Sequence, residues 1–282
     1  MAAIRQEEHP LGGELLAIAT KIAHAGGRHA LERVQQEGAR QSLRTNATAK
    51  SSATDLVSAA DRETEQIIVS RLADARPKDG ILGEEGSKRP SSSGIDWIID
   101  PIDGTTNFLY GHGSFAISLG AYEGDRGIAG VVFDPVRDET FSAIRGGGAT
   151  RNGQALHAPF DAPPLEESLL GTGFHYLASR RLLQARLLVG VLPAVRDIRR
   201  QGAASLDICS VVCQRLDAYY EAELQPWDVA AGLIIASEAG YSHEYLDLGG
   251  ELDRTLLLAH PDLIIPVRAL LRKAASSIDA NA

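Results

Sequence analysis

From residue 168 onward the sequence alternates, four times, between a short apolar run and a longer segment with helical spacing. The runs are 168–171, 195–199, 216–222 and 255–259, and the helical segments are 179–192, 203–214, 228–239 and 261–275. Each such helix has an apolar face to cover, so the alternation demands a sheet with helices packed against it. The pattern upstream is different. Residues 114–122, 127–133 and 139–144 read as strands, with Asp134-Pro135-Val136-Arg137-Asp138 as a turn between the last two, which predicts an antiparallel meander. Residues 80–83 and 95–99 are two more short strands, separated by a polar stretch, 86–94, that reads as a solvated loop. Gly146-Gly147-Gly148 and Asn152-Gly153 mark tight turns.

Two helices precede these strands. The first covers 13–36, with Leu15, Ile18, Ile22, Leu31 and Val34 on one face, and Gly26-Gly27 are expected to interrupt or kink it. The second begins at Ser58, whose spacing to Asp61 fits a capping box, and Ile67, Ile68 and Leu72 supply its apolar stripe. Residues 37–54 between them are polar and aperiodic, a loop. Residues 159–166 read as a linker, which divides the chain into 1–158 and 159–282.

A chain of 282 residues with 44% hydrophobic and 23% charged residues has the usage of a globular protein, not of a disordered one. The most apolar stretch, 255–271, is broken by His260, Pro261, Asp262, Pro266 and Arg268, so no membrane-spanning helix is expected. The first ten residues lack a signal-peptide core, and a cytoplasmic location is the expectation. The net charge of −9 argues against nucleic acid or an anionic membrane as partner. It leaves anionic substrates open, because bound cations reverse the local sign of a site. Cys209 and Cys213, spaced i, i+4, read either as two small buried hydrophobes or as half of a metal or redox site.

Four acidic segments carry the chemistry: Gly83-Glu84-Glu85-Gly86, Asp100-Pro101-Ile102-Asp103-Gly104-Thr105-Thr106, the stretch from Asp217 to Glu221, and Pro226-Trp227-Asp228. Pro101 restricts Asp100 to an extended conformation, and a turn there would aim both carboxylates and the Ile102 carbonyl at one point. Three hard oxygen ligands suit Mg²⁺. A helix starting at Gly104-Thr105 would offer its free N–H groups to a phosphate. Each segment also has a plain reading: Asp-Pro-x-Asp-Gly as a turn, Glu84 as a strand-end acid, Asp228 as a first-turn helix residue, Asp61 as the partner of Ser58. Their joint occurrence in this order favours the chemical reading.

These segments, with Glu238-Ala239-Gly240, the stretch from Lys50 to Asp61, Val131-Val132-Phe133-Asp134-Pro135, Gly148 to Gly153 and Leu258-Ala259-His260-Pro261, resemble the signatures of the inositol monophosphatase family over nearly the whole chain. That family belongs to the Mg²⁺-dependent, lithium-sensitive phosphatases. The resemblance implies a layered α-β-α-β-α sandwich (class α/β, or α+β), with an antiparallel N-terminal sheet and a smaller mixed C-terminal one, and a homodimer. It implies two or three Mg²⁺ ions per site: Glu84, Asp100 and the Ile102 carbonyl for the first, Asp100, Asp103 and Asp228 for the second, and a weaker third beside Glu84. Thr105, hydrogen-bonded to Asp61, would orient the water that attacks phosphorus. The Gly104 and Thr105 amides would bind phosphate oxygens. Asp103, Glu221, Asp228 and Gly202-Ala203-Ala204 would contact the alcohol part of the substrate. Lys50 reads either as a loop residue near the third ion or as an ordinary surface lysine.

The implied function is hydrolysis of inositol monophosphate, a small phosphorylated polyol, by metal-activated water. Glu221, seven residues before Asp228, matches the acid that in this family hydrogen-bonds inositol hydroxyls, and a carboxylate there would accept from vicinal hydroxyls and repel a second phosphate. Ala203 stands where the family usually has Ser or Thr, and Tyr241 where it has a second Gly; both bear on the choice of alcohol. The alternatives are a phosphatase for another small ester (fructose bisphosphate, histidinol phosphate or a nucleotide 3′-phosphate) and a regulatory binding protein on the same fold.

Overall fold

The computed structural model describes residues 8–35, 47–50 and 56–279. Part of the loop expected over 37–54, and residues 51–55 of the stretch from Lys50 to Asp61, lie outside them. Helices α1 (Gly12–Gln35) and α2 (Ala59–Ala75) flank a two-stranded ribbon of β1 (Thr48–Ala49) and β2 (Leu56–Val57). An eight-stranded sheet follows, built from β3 (Gly80–Gly83), β4 (Lys88–Arg89), β5 (Ile95–Asp103), β6 (Ala116–Glu123), β7 (Arg126–Asp134), β8 (Glu139–Ile144), β9 (Gly148–Arg151) and β10 (Gln154–Leu156), with the short helix α3 (Thr105–Tyr110) after β5. Its order is β10-β9-β8-β7-β6-β5-β3-β4. Neighbours pair antiparallel except β3 and β5, which run parallel. The meander read from the sequence is the β6-β7-β8 part of this sheet.

The second sheet holds β11 (Leu169–Thr172), β12 (Asp197–Arg199), β13 (Ala218–Glu221), β14 (Ser242–Leu246) and β15 (Thr255–Ala259) in the order β12-β11-β13-β15-β14. β11 runs parallel to β12 and β13, and β15 antiparallel to both its neighbours, so the sheet is mixed. Its helices are α4 (Ala178–Val191), α5 (Ala204–Val212), α6 (Pro226–Glu238) and α7 (Pro261–Asp279). α1 and α2 cover one face of the large sheet, α5 and α6 lie between the sheets, and α4 and α7 cover the outer face of the small one. This is the layered α-β-α-β-α arrangement.

The layers explain the local sequences. α6 is apolar on most sides because it is sandwiched, with Val229, Ala231, Ile235 and Ala236 all buried. Beneath α1 and α2 the core is built on Leu15, Ile68, Leu72, Trp97, Phe108 and Phe115, and each fully buried large side chain there contributes roughly 1.5–3 kcal/mol. The Gly26-Gly27 pair does not interrupt α1. A Cβ on Gly27 would stand 2.6 Å from the Phe133 ring, so the glycine lets the helix approach the sheet closely. On the other face Gly130 has the same use, since a Cβ there would stand 2.7 Å from the Ala231 carbonyl oxygen in α6.

Candidate active site

The expected turn at Asp100-Pro101-Ile102-Asp103 is a bulged strand end instead. β5 continues through it, with Asp100 opposite Ser118 and Asp103 opposite Ala116, so β5 carries one residue more than β6. Proline is tolerated at such a bulge, and a bulge re-aims the side chains around it. Asp100 is buried, and its Oδ1 accepts the Ile102 amide at 3.0 Å. The Ile102 carbonyl accepts the Thr105 hydroxyl at 3.2 Å. Gly104, at φ 91°, turns the chain from β5 into α3, where a Cβ would press within 3.0 Å of Ser114 and Ala203. The first amides of α3 have no partner within the helix.

Asp61 is fully buried at the start of α2. Its Oδ2 accepts the Ser58 amide at 2.9 Å and the Ser58 hydroxyl at 2.6 Å, and its Oδ1 accepts the Thr105 hydroxyl at 3.1 Å. One carboxylate thus closes the predicted capping box and holds Thr105. Glu84 follows β3, and Lys50 Nζ donates to it at 2.8 Å and to Glu85 at 2.5 Å. The turn carrying Glu84 is anchored by Glu65, a residue the sequence reading missed. Buried in α2, Glu65 accepts the Glu85 amide at 2.8 Å and the Ser87 amide at 3.0 Å. Its signal was an acid one turn after Asp61 on the buried side of a helix.

The C-terminal half supplies the rest. Asp103 accepts the amides of Ala204 (3.1 Å) and Ser205 (2.7 Å) and the Ser205 hydroxyl. It therefore caps α5 from another element, which is why the Ala203 N-cap position manages without a side-chain acceptor. Asp228 closes a capping box at the start of α6, accepting the Gln225 amide at 2.6 Å. Its helix role and its place at the site therefore coexist. Glu221 ends β13 and accepts the Tyr219 hydroxyl. Asn107 ties α3 to this half through the Gln201 carbonyl at 2.8 Å.

A cavity of about 330 Å³ lies at this junction, lined by Lys50, Glu84, Asp103, Gly104, Gly202, Ala203, Ala204, Glu221 and Asp228, together with Arg200, His175 and Glu223. Ile102, Thr105, Asp61 and Asp100 stand behind that wall, buried. Cys209 is buried in α5 between the sheets, and Cys213, just past the end of that helix, is half-buried.

Burial pushes the Asp100 carboxyl well above the usual range, reinforced by Glu84, Asp103 and Asp228. Burial likewise raises Asp228, reinforced by Asp103, and raises Asp61 against the opposing bonds from Ser58. Asp103 is pushed up to about 6, by burial against the bonds from Ser205. Glu221 is pushed up to about 7 by burial. Burial works against the Lys50 ammonium, but Glu84 and Glu85 overcome it and raise the group. Acids crowded in a low-dielectric junction are oxygen donors of the kind a hard divalent cation takes. Among the described residues no three His, Cys, Asp or Glu side chains are arranged around a single point. Asp103 is turned to α5, Asp228 to Gln225 and Glu84 to Lys50.

The sequence matches the inositol monophosphatase family over residues 13–280. An inositol-1-monophosphatase of Mycobacterium bovis is 46% identical over 200 residues, covering 68% of this chain and 69% of that protein. A protein of Pseudomonas aeruginosa named Nus factor SuhB is 43% identical over 213 residues, covering 70% and 77%. The crystal structure of the extragenic suppressor protein suhB from Bartonella henselae superposes with a TM-score of 0.83 at 33% identity, covering 92% of this chain and 99% of that one.

Proposed function

The chain belongs to the inositol monophosphatase family, a family of phosphatases, and from that membership we propose that it is a Mg²⁺-dependent phosphomonoesterase acting on inositol monophosphate. The observation that carries the reading is that Glu84, Asp103, Asp228 and Glu221 line one cavity, with buried Asp100 close enough to feel the charges of the first three. Carboxylates crowded in this way must take up protons or be compensated by positive charge, and a bound divalent cation supplies that charge while leaving them ionised.

In this reading Glu84, Asp100 and the Ile102 carbonyl would hold one Mg²⁺, Asp100, Asp103 and Asp228 a second, and Glu84 with Lys50 nearby would border a weaker third, with the ions competing for these carboxylates against Lys50, Ser205 and Gln225. Mg²⁺ bound there supplies the charge that acidifies water and neutralises phosphoryl oxygens. The one Thr105 proton is shared between Asp61 Oδ1 and the Ile102 carbonyl; with that carbonyl given to a cation it goes to Asp61, so the Thr105 oxygen is left to accept from the attacking water and aim that water's lone pair at phosphorus. Asp61, raised by burial, is placed to take the proton passed through the hydroxyl. The Gly104 and Thr105 amides bind phosphate oxygens. Glu221, Asp103, Asp228 and the Gly202-Ala203-Ala204 backbone receive the hydroxyls of the alcohol, and Ala203 offers no hydroxyl of its own.

The relative named inositol-1-monophosphatase supports this substrate. The relative named Nus factor SuhB supports a second reading, in which the same fold serves a regulatory partner. The family resemblance also supports a homodimer, and exposed Leu182, Val189 and Leu192 along and just beyond α4 are an apolar face a second copy would cover. Phosphate release from inositol 1-phosphate, fructose 1,6-bisphosphate, histidinol phosphate and adenosine 3′,5′-bisphosphate, with Asp100→Asn as control, tests the function. Turnover of inositol 1-phosphate lost in the variant supports it; a wild type inert toward all four esters sinks it.

A further inference from the structure

Residues 222–225 join β13, which ends at Glu221, to α6, which carries Asp228. The shape of this short loop therefore sets how those two carboxylates stand toward each other. Glu223 in its middle has φ 63°, a conformation that glycine takes freely and a Cβ-bearing residue resists. Its side chain is anchored in return. Arg180 Nη1, from α4 in the outer layer, meets Glu223 Oε1 at 2.5 Å. His175 Nε2 lies 3.7 Å from Glu223 Oε2. The Leu177 amide donates to His175 Nδ1 at 2.9 Å, and Arg180 Nη1 lies 3.3 Å from Nε2, so the ring stands beside the Arg180–Glu223 pair. The His175 segment is itself fixed to α4, since its amide donates to Gln184 Oε1 at 2.7 Å. Arg180 Nε also approaches Glu251 at 3.7 Å. Glu223 and His175 line the cavity, whereas Arg180 stands behind them.

We propose that Arg180 is a positioning residue: its ion pair holds Glu223 in the left-handed conformation and so fixes the start of the 222–225 loop in the shape that lets Glu221 receive the substrate's alcohol. The proposal rests on the phosphatase reading above. The energy that keeps a side chain at this φ comes from the α4 side of the molecule, and removing it frees the loop. Binding of the alcohol then weakens, while Asp228, held in the first turn of α6 by its own capping box, and Thr105, Asp61 and the β5 carboxylates, none of which touches Arg180, keep the chemical step.

The test is steady-state hydrolysis of inositol 1-phosphate by the full chain at saturating Mg²⁺. Arg180→Ala is expected to raise KM about tenfold with kcat changed less than about threefold. Arg180→Lys, a point charge in place of the fork, restores part of that loss. The double variant Arg180→Ala with Glu223→Gly recovers most of it, because glycine holds the φ without an anchor. Glu223→Ala raises KM well above Glu223→Gly for the same reason, and that comparison stands even if Arg180→Ala fails to fold. A melting temperature lowered with KM unchanged, or no recovery in the double variant, overturns the proposal. If the wild type leaves inositol 1-phosphate intact, the phosphatase reading falls separately. The loop is then read from the rise in melting temperature given by inositol 1-phosphate with Mg²⁺, and equal rises in Glu223→Ala and Glu223→Gly overturn it.

Discussion

The Thr105 hydroxyl donates to Asp61 Oδ1, and the other oxygen of that carboxylate holds the Ser58 amide and hydroxyl at the start of α2. Catalytic positioning and helix capping therefore share one side chain, and two substitutions separate them. Thr105→Ala is expected to cut kcat at least about a hundredfold while costing about 1.5–3 kcal/mol of stability, the worth of a hydrogen bond to a charged group. Asp61→Ala is expected to lose both, since it also opens the capping box, which costs about 0.5–2 kcal/mol more. Urea unfolding beside initial rates checks the pair.

Asp103 joins the halves of the molecule as well as lining the cavity. It ends β5 yet accepts three donors from the first turn of α5. Ser205→Ala removes one of the three and is expected to cost about 1.5–3 kcal/mol, as for hydrogen bonds to charged groups. It leaves the carboxylate in place, so activity at saturating Mg²⁺ is expected to change far less than in Asp103→Ala. Denaturation midpoints and rates measured on both variants check this.

How much of this was legible in the sequence follows from separation along the chain. Ser58 with Asp61 is a local pattern, and so are the alternating runs that gave β6, β7, β8 and β15. The bulge at Asp100–Asp103 was hidden because Asp, Pro and Gly look the same in a turn and at a bulged strand end. β14 and the β9-β10 hairpin were missed because they are short and polar; their pairing is imposed by β15 and β8. β4 was lost inside a segment that reads as a loop. Among site residues the metal-type acids were visible as motifs. Glu65, Ser205, Arg180 and Glu223 were not, since each acts on a partner far away in sequence or through a backbone angle.

Acid–base behaviour follows from burial. Asp103 is raised to about 6 and Glu221 to about 7, and Asp100 and Asp228 rise well above the usual range, in each case chiefly by burial. Raised carboxyls bind protons on folding, so their stabilising contribution is complete below the unfolded values near 4 and is lost as pH climbs through about 6 and 7. Without divalent cations the melting temperature is therefore expected to fall between about pH 5 and about pH 8 on account of these groups. Mg²⁺ binds the ionised folded site and not the unfolded chain, so its stabilising effect should be larger at the higher pH. Thermal melts across pH with Mg²⁺ or EDTA check both slopes.

Gly27 brings α1 against Phe133. Gly27→Ala would force a Cβ against that ring, and overpacking of this kind is expected to cost about 1–3 kcal/mol despite alanine's better helix propensity. Gly13 at the start of the same helix has open space around it, so Gly13→Ala is expected to be neutral or mildly stabilising. Denaturant midpoints of the two variants give opposite signs on this account.

The central claim is that carboxylates from both halves of the chain act together on divalent cations to hydrolyse a phosphate ester. Its most direct measurement is kcat for inositol 1-phosphate as a function of Mg²⁺ concentration in the wild type, Asp100→Asn and Asp228→Asn. The account predicts saturable activation of the wild type, absent in EDTA, and a loss of at least about a hundredfold in each variant, including the one whose substitution lies in the second half. Turnover that persists in EDTA, or an Asp228→Asn variant with wild-type Mg²⁺ activation, would contradict it.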